Sequence, residues 1–492
     1  MNRIVMTLAV VAPLAAGCVT PTHVRTPAAQ PPIAYEAPRP PVDSLTPANL
    51  EQWWSLYNDP QLNELVARAL ANAPDARDAV ARLQQAAAIR AGTIDQIILP
   101  TSTLSGTATH SQTDVLSGSA IGGGPTGFTE AGPSNSLNAG FNVSWELDLF
   151  GRRAAARTAA DADFFTAAYT YEATRTALAA NVAQSLFQAR GLALQLRDAQ
   201  EIARIDHELE RLARVRVEHG LSAQPDLDQA SATAQAADAQ AESLRAQLDT
   251  ARRTLLVLIG SGFDPLASLV ATPDVGSPPP VPAEVPGDLL RRRPDVRAAE
   301  WRITSAKGNL RLDELAVLPT LKLNPGVTLA KSTGVFGTST AIWSIGAGLT
   351  APVLDRPRLI EQIHAEAAVA EQDVIAYEKA VQTAYGETEN AFINLDSDQR
   401  RVDLLVAAEA KAESAYSKGR LSYGRGLTDL ATALQAETTW RNIRTQRSQA
   451  QAIVMQRSVQ VFKALGGGWN PEAPAATTPY ATTAAKAVAG GG

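Results

Sequence analysis

The chain has 492 residues; 45% are hydrophobic, only 5% aromatic and 19% charged, and the formal net charge is −6. That mildly acidic balance argues against a nucleic-acid partner, and a single cysteine, Cys18, excludes a disulfide framework. Beyond residue 17 no stretch of about 18 apolar residues occurs, so no helix is expected to cross a bilayer and a membrane-spanning role would fall to strands.

The first segment combines Arg3, an apolar run over residues 4–16 and the pair Gly17-Cys18, the layout of a secretory signal covering 1–17. A lone thiol at the end of such a signal points to lipidation. Leu14-Ala15-Ala16-Gly17-Cys18 resembles a bacterial lipobox with the leucine one place further from the cysteine than usual, and Val19 in place of an aspartate resembles lipoproteins delivered to the outer membrane. Residues 18–47 carry Pro31, Pro32, Pro38, Pro40 and Pro41 and are expected to form an extended tether behind the anchor. The last residues, 467–492, are mostly Gly, Ala, Thr and Pro and are expected to be disordered.

Between these ends a second proline cluster, in an expected linker over 261–286, separates two comparable halves, 48–260 and 287–466. The halves match each other. Pro74, Asp75, Arg77, Ala79 and Arg82 pair with Pro294, Asp295, Arg297, Ala299 and Arg302; Arg152 pairs with Arg358, Gly220-Leu221 with Gly426-Leu427, and Gly260 with Gly466. This is a tandem duplication of domain-sized units, with a period of roughly 206–220 residues, far above the solenoid range.

Each half begins with helical composition, over residues 59–98 and 288–317. A β-type pair follows. The clearest strand signal is residues 137–149, where Leu137, Ala139, Phe141, Val143, Trp145, Leu147 and Leu149 alternate with polar residues or glycine. In the second half Trp343, Ile345, Ala347, Leu349, Ala351 and Val353 repeat it, and weaker strands precede each, over 101–111 and 321–329. Then comes a long helix. From Arg152 to Glu218 there is no proline and a single glycine, enough for a helix of roughly 100 Å, and leucine and isoleucine recur there at coiled-coil spacings of three and four.

A soluble sandwich would show the same alternation. Context favours lipid as the cover, because a secreted, lipobox-bearing chain with two strand pairs beside very long helices offers no evident second sheet. Four strands cannot close a membrane barrel, since the smallest have about eight, so oligomerisation is required.

The motifs Trp145-Glu146-Leu147-Asp148-Leu149-Phe150-Gly151-Arg152 and Leu290-Arg291-Arg292-Arg293-Pro294-Asp295-Val296-Arg297, with Leu-Pro-Thr before each strand pair, resemble the outer-membrane factor family of TolC and OprM, in particular its NodT-type efflux lipoproteins. The second junction departs from the pattern, with Asp355-Arg356-Pro357-Arg358 where the family has Asp-Gly-Gly-Arg. The resemblance implies an α+β membrane protein: a homotrimer whose tandem-duplicated long α-helical coiled-coil barrel is continued by a transmembrane antiparallel β-barrel, four strands per protomer. It also implies docking to a periplasmic adaptor (membrane fusion) protein and an inner-membrane transporter of the RND type, with the chain in the outer membrane as a passive exit duct.

By the same resemblance the periplasmic gate lies at the helical turns. The matching residues are Tyr423, Arg425, Leu427 and Asp429 in the second half and Asp226 and Asp228 in the first, and adaptor contact is implied at Gly220, Leu221 and Ser222 and at Gly426, Leu427 and Thr428. For Asp226 and Asp429 a helix-capping role stands beside the gate role, and for the glycine steps a purely structural turn stands beside the contact role. The five histidines show no metal-ligand spacing, and no phosphate loop or nucleophile motif occurs, so neither cofactor nor catalysis is expected. Two other readings remain. One is a non-pore periplasmic coiled-coil adaptor or structural lipoprotein; the other is a hydrolase using Glu146 and Asp148, which are more simply lumen-lining carboxylates near Arg152.

Overall fold

The structure is a computed structural model that describes residues 23–29, 31–32, 34–37, 50–113, 132–281, 291–333 and 337–471. Cys18, the signal and most of the tail lie outside them, as do parts of the tether and of the inter-half linker. In chain order the helices and strands are α1 (Pro60–Asn72), α2 (Pro74–Ile98), β1 (Thr101–Thr113), β2 (Gly132–Leu147), α3 (Arg152–Glu218), α4 (Gln224–Leu258), α5 (Pro294–Ala316), β3 (Thr320–Thr333), β4 (Thr338–Thr350), α6 (Arg356–Gly424) and α7 (Leu430–Ala464). No described helix is long and apolar enough to cross a membrane. The chain forms two compact units, each assembled from both sequence halves.

The first unit takes in residues 86–164 and 301–375. Its sheet is antiparallel in the order β1-β2-β3-β4. Register carries the alternation of each strand across the whole sheet: Leu104 sits opposite Phe141, Phe141 opposite Val327, and Val327 opposite Trp343. A row three residues along reads Thr107, Asn138, Ala330 and Thr340. Because side chains alternate along a strand, the first row lies on an apolar face and the second on a polar one. In the same unit, Gly308 lets α5 approach α3 so closely that an added Cβ would lie 2.8 Å from the Ala159 nitrogen.

The turn between β2 and α3 explains the Asp148-Leu149-Phe150-Gly151 sequence. β2 stops at Leu147, two residues short of the alternating run, because Asp148 turns to cap the helix: Oδ1 accepts from the Gly151 and Arg152 nitrogens at 2.8 Å and Oδ2 from Arg153 at 3.1 Å. Desolvation pushes the Asp148 carboxyl up, but the backbone donors of residues 150–153 outweigh it and hold it below the usual aspartate range. A carboxyl depressed in the folded state stabilises above its ordinary value of about 3.9, and that contribution is lost as pH falls through the folded value. Asp148→Ala is expected to cost about 1 kcal/mol and to remove this acid-side dependence, measurable by thermal unfolding between about pH 3 and pH 6. At the second junction Pro357 falls in the first turn of α6, where a missing N–H does no harm.

The second unit takes in residues 27–85, 165–300 and 376–471. The helical stretch over 59–98 is two helices that part at Ala73, because Pro74 cannot continue α1 and instead opens α2. Asp59 caps α1, accepting from the Gln61 nitrogen at 3.0 Å, and its carboxylate also binds Arg190. The largest core cluster is built on Trp53, Phe187 and Phe462, with the Trp53 and Phe462 rings stacked at 5.6 Å. Part of the tether is packed rather than loose. Glu36 and Ala37 donate backbone N–H groups to the Glu389 carboxylate of α6, and Tyr35 stacks on Tyr385. The expected disorder from residue 467 is corrected at its start: Trp469 is buried, donates to the Arg292 carbonyl at 2.8 Å and meets the Tyr169 ring edge-on.

Candidate functional site: the helical turns

Within the second unit, α3 and α4 form one hairpin and α6 and α7 another. Each turns in the same way. At Gly220 the backbone has φ +67° and at Gly426 +72°, the left-handed region that only glycine enters without strain. Gly220 N donates to Val217 O and Leu221 N to Arg216 O; Gly426 N donates to Tyr423 O and Leu427 N to Ser422 O. These are paired Schellman closures that satisfy the last carbonyls of each helix. They leave Leu221 and Leu427 in the open, with Leu427 73% exposed.

The first hairpin grips the second through Arg216. Its guanidinium lies 4.9 Å from the Tyr423 ring centroid, Nη1 donates to the Tyr423 carbonyl at 3.1 Å, and Nε donates to Ser222 Oγ at 3.2 Å. Tyr423 is buried against Leu209, Leu430, Ala433 and Leu434. One α-turn further along, Arg420 of α6 donates to Glu208 of α3 at 2.5 Å. Beyond that, Arg444 and Ser448 of α7 both bind the buried Asp198 of α3. Charge-assisted bonds of this kind are roughly twice as strong as neutral ones, so the two hairpins are cross-braced along their length.

The other sequence-expected residues sort by role. Arg425 is exposed, and its side chain has no partner among the described residues, so the tyrosine's cation is Arg216 and not Arg425. Asp429 caps α7, accepting from the Thr432 nitrogen at 2.9 Å. Its carboxyl is held below the usual range, first by the Thr432 side chain and then by the Thr432 backbone, so it stays charged and exposed at neutral pH. Asp226 stands in the first turn of α4 without being its N-cap, which is Ala223; Asp228 accepts from Gln224 at 3.0 Å. Thr428 is half-buried. Arg216 was missed by sequence reading. It stands five residues before Leu221, as Ser422 stands five before Leu427, so the match between the halves pairs it with a serine and carries no signal; only the packing of the hairpins brings it to Tyr423.

In the first unit, Glu146 lies 3.7 Å from Arg152 and 3.9 Å from Lys322, while Asp148 is committed to the helix cap. The two carboxylates therefore do not form an acid/base pair. On the opposite face of the sheet Leu104 is 83%, Trp343 80% and Ile345 73% exposed, and no described residue forms a second layer over them.

Comparison with known proteins agrees with this geometry. The family model described as Outer membrane efflux protein matches residues 65–261 and 285–467. The chain is 29% identical to the pyoverdine export outer membrane protein OpmQ of Pseudomonas aeruginosa, over 86% of this chain and 89% of that protein. It is 24% identical to the probable outer membrane lipoprotein SilC of Salmonella typhimurium, over 92% and 96%. The solved structure of the outer-membrane channel OprN superposes with a TM-score of 0.77 at 26% identity, over 92% of this chain and all of that one. Two matched halves, exposed apolar strands and long paired helices thus coincide, and the alternative of a non-pore adaptor falls away: the chain belongs to the outer membrane efflux protein family and is the outer-membrane channel component of an efflux system.

Proposed function

We propose that three copies of the chain close one twelve-stranded barrel and act as a passive exit duct, gated at the turns of the helical hairpins. The observation that carries this is the exposed apolar row Leu104, Phe141, Val327 and Trp343, bounded by the unpaired edges of β1 and β4. Open edges in hydrocarbon would leave backbone groups without partners, so β4 of one copy must pair with β1 of the next. Three times four strands passes the minimum of about eight. In this reading the strands lie in the outer membrane and the turns face the periplasm. Arg216, Tyr423, the exposed carboxylates Asp429 and Asp228 and the half-buried Asp226 then surround the axis, where like charges repel and hold cations and closure depends on the bonds that oppose them. Leu427 is a candidate constriction and Arg425 a second basic group of the ring. The steps Gly220, Leu221 and Ser222 and Gly426, Leu427 and Thr428, with both leucines exposed, are the surface offered to a periplasmic adaptor, which would join the duct to an RND-type inner-membrane transporter.

The test is assembly and conductance together. Purified mature chains are expected to run as a heat-sensitive trimer in detergent and to conduct in planar bilayers; a monodisperse water-soluble monomer that leaves bilayers silent would overturn the proposal. Lipid anchoring is proposed at Cys18, in keeping with the similarity to SilC. Cys18→Ser is expected to abolish labelling by radioactive palmitate while the trimer persists, since the barrel itself holds the protein in the membrane. Retained label would refute the anchor.

A further inference from the structure

Two carboxylates, both 1% exposed, meet where the first hairpin packs on the second: Asp206 of α3 and Glu437 of α7. Among the described residues the one cation within 4 Å of them is Arg441, whose Nη1 lies 3.2 Å from Asp206 and 3.6 Å from Glu437. None of their four oxygens has a hydrogen-bond donor among the described residues. We propose that Asp206 and Glu437 share one proton, that this proton clips the two hairpins together, and that its loss frees the turns to open. The proposal rests on the reading of the turns as the gate.

Charge and hydrogen bonding both demand the proton. One guanidinium neutralises one carboxylate, and a second buried carboxylate without a partner would be held at a cost of several kcal/mol. Two ionised carboxylates are also acceptors only, so neither can satisfy the other; a single proton makes one the donor and the other its acceptor. The buried donors nearby, the Tyr416 hydroxyl and the Trp440 indole N–H, make no hydrogen bond to either carboxylate. From α6 come Tyr416 and Arg420, and Arg420 is engaged by Glu208. From α4 comes Ala237, and its neighbour Asp238 is bound by His207. On α7, Trp440 is stacked on Tyr416 at 5.0 Å. Burial first, and Asp206 second, push the Glu437 carboxyl up to about 9 against the pull of Arg441.

The position gives the proton leverage. Asp206 is 12 residues from the end of α3, about 18 Å, and Glu437 is 7 residues into α7, about 10 Å from its start. Separating the hairpins exposes Glu437 to water and returns it toward its ordinary value. The closed form then holds one more proton than the open form, so its advantage is full below the ordinary value and is lost as pH rises toward about 9. The open-to-closed ratio of each protomer should rise by up to about tenfold per pH unit across that window and level off above it. An acid periplasm would hold the channel shut.

The experiment uses trimers of the mature chain in planar bilayers, with the solution facing the turns stepped from about pH 6 to about pH 9. Wild type is expected to open progressively. Glu437→Gln and Asp206→Asn, whose amides supply the missing donor permanently, are expected to lose the pH slope while still assembling. Infrared difference spectra between about pH 7 and pH 10 give an independent reading: wild type should lose the carbonyl band of a protonated carboxylic acid, and Glu437→Gln should lack that change. An absent band, or a slope unchanged in both variants, overturns the proposal. If Arg216→Ala opens the channel while pH does not, the gate stands and the clip is refuted. If the band titrates but neither pH nor Arg216→Ala alters conductance, the gate reading itself has failed and the opening half of the proposal falls with it.

Discussion

Channels built from Arg216→Ala chains should conduct more and close less often than wild type. The substitution removes a charge-assisted bond to the Tyr423 carbonyl and a cation–π contact with its ring. A charged hydrogen bond contributes about 1.5–3 kcal/mol and a partly exposed cation–π contact about 0.5–1 kcal/mol. Taking about 2 kcal/mol per protomer after solvent replaces part of the loss, the hairpin-to-hairpin equilibrium moves about thirtyfold toward separation. Arg216→Lys should fall between, because an ammonium keeps the charge but not the fork that reaches Tyr423 and Ser222 together. The comparison that decides is Arg425→Ala. Its side chain is exposed and engages no described residue, so its effect should be confined to the charge of the ring. A larger gain in conductance from Arg425→Ala than from Arg216→Ala would mean that closure does not depend on the bond between the hairpins.

That contrast marks where sequence reasoning stopped. What repeats along the chain was legible: the period-two runs became β2 and β4, although β4 ends at Thr350 and leaves Ala351 and Val353 outside it, the proline-free span became α3 at its stated ends, and the matched glycines became matched Schellman turns. Each is a local signal, carried by side-chain period or by the conformational freedom of one residue. Tyr423 was found through the family motif, but its partner was sought two residues away at Arg425, whereas the cation that meets it is 207 residues distant. The Asp206 and Glu437 pair is likewise invisible in one dimension, because an aspartate and a glutamate on long polar-looking helices read as solvated faces until the hairpins pack. The end of β2 was placed two residues late for a different reason. Asp148 and Leu149 continue the alternation, and only the helix that follows reveals that the aspartate leaves the strand to serve as a cap.

A positive charge on the apolar face of the sheet should prevent assembly outright. Phe141 lies near the middle of β2, between Leu104 of β1 and Val327 of β3, and its ring is directed away from the polar face. If lipid covers that face, Phe141→Arg costs about 2–4 kcal/mol per chain at the bilayer midplane, and roughly 6–12 kcal/mol for a trimer that carries it three times. The heat-resistant oligomer should be lost, and with it conductance. Asn138→Arg is the control, because three residues earlier on the same strand the side chain stands on the polar face, opposite Thr107 and Ala330. There an arginine stays in water, so the trimer should form normally and the channel should shift its preference toward anions. Equal damage from the two substitutions would show that both faces are packed against protein, and equal tolerance would show that neither meets lipid. Only the asymmetry, destruction on one face and altered selectivity on the other, follows from a wall with hydrocarbon outside and an aqueous duct within.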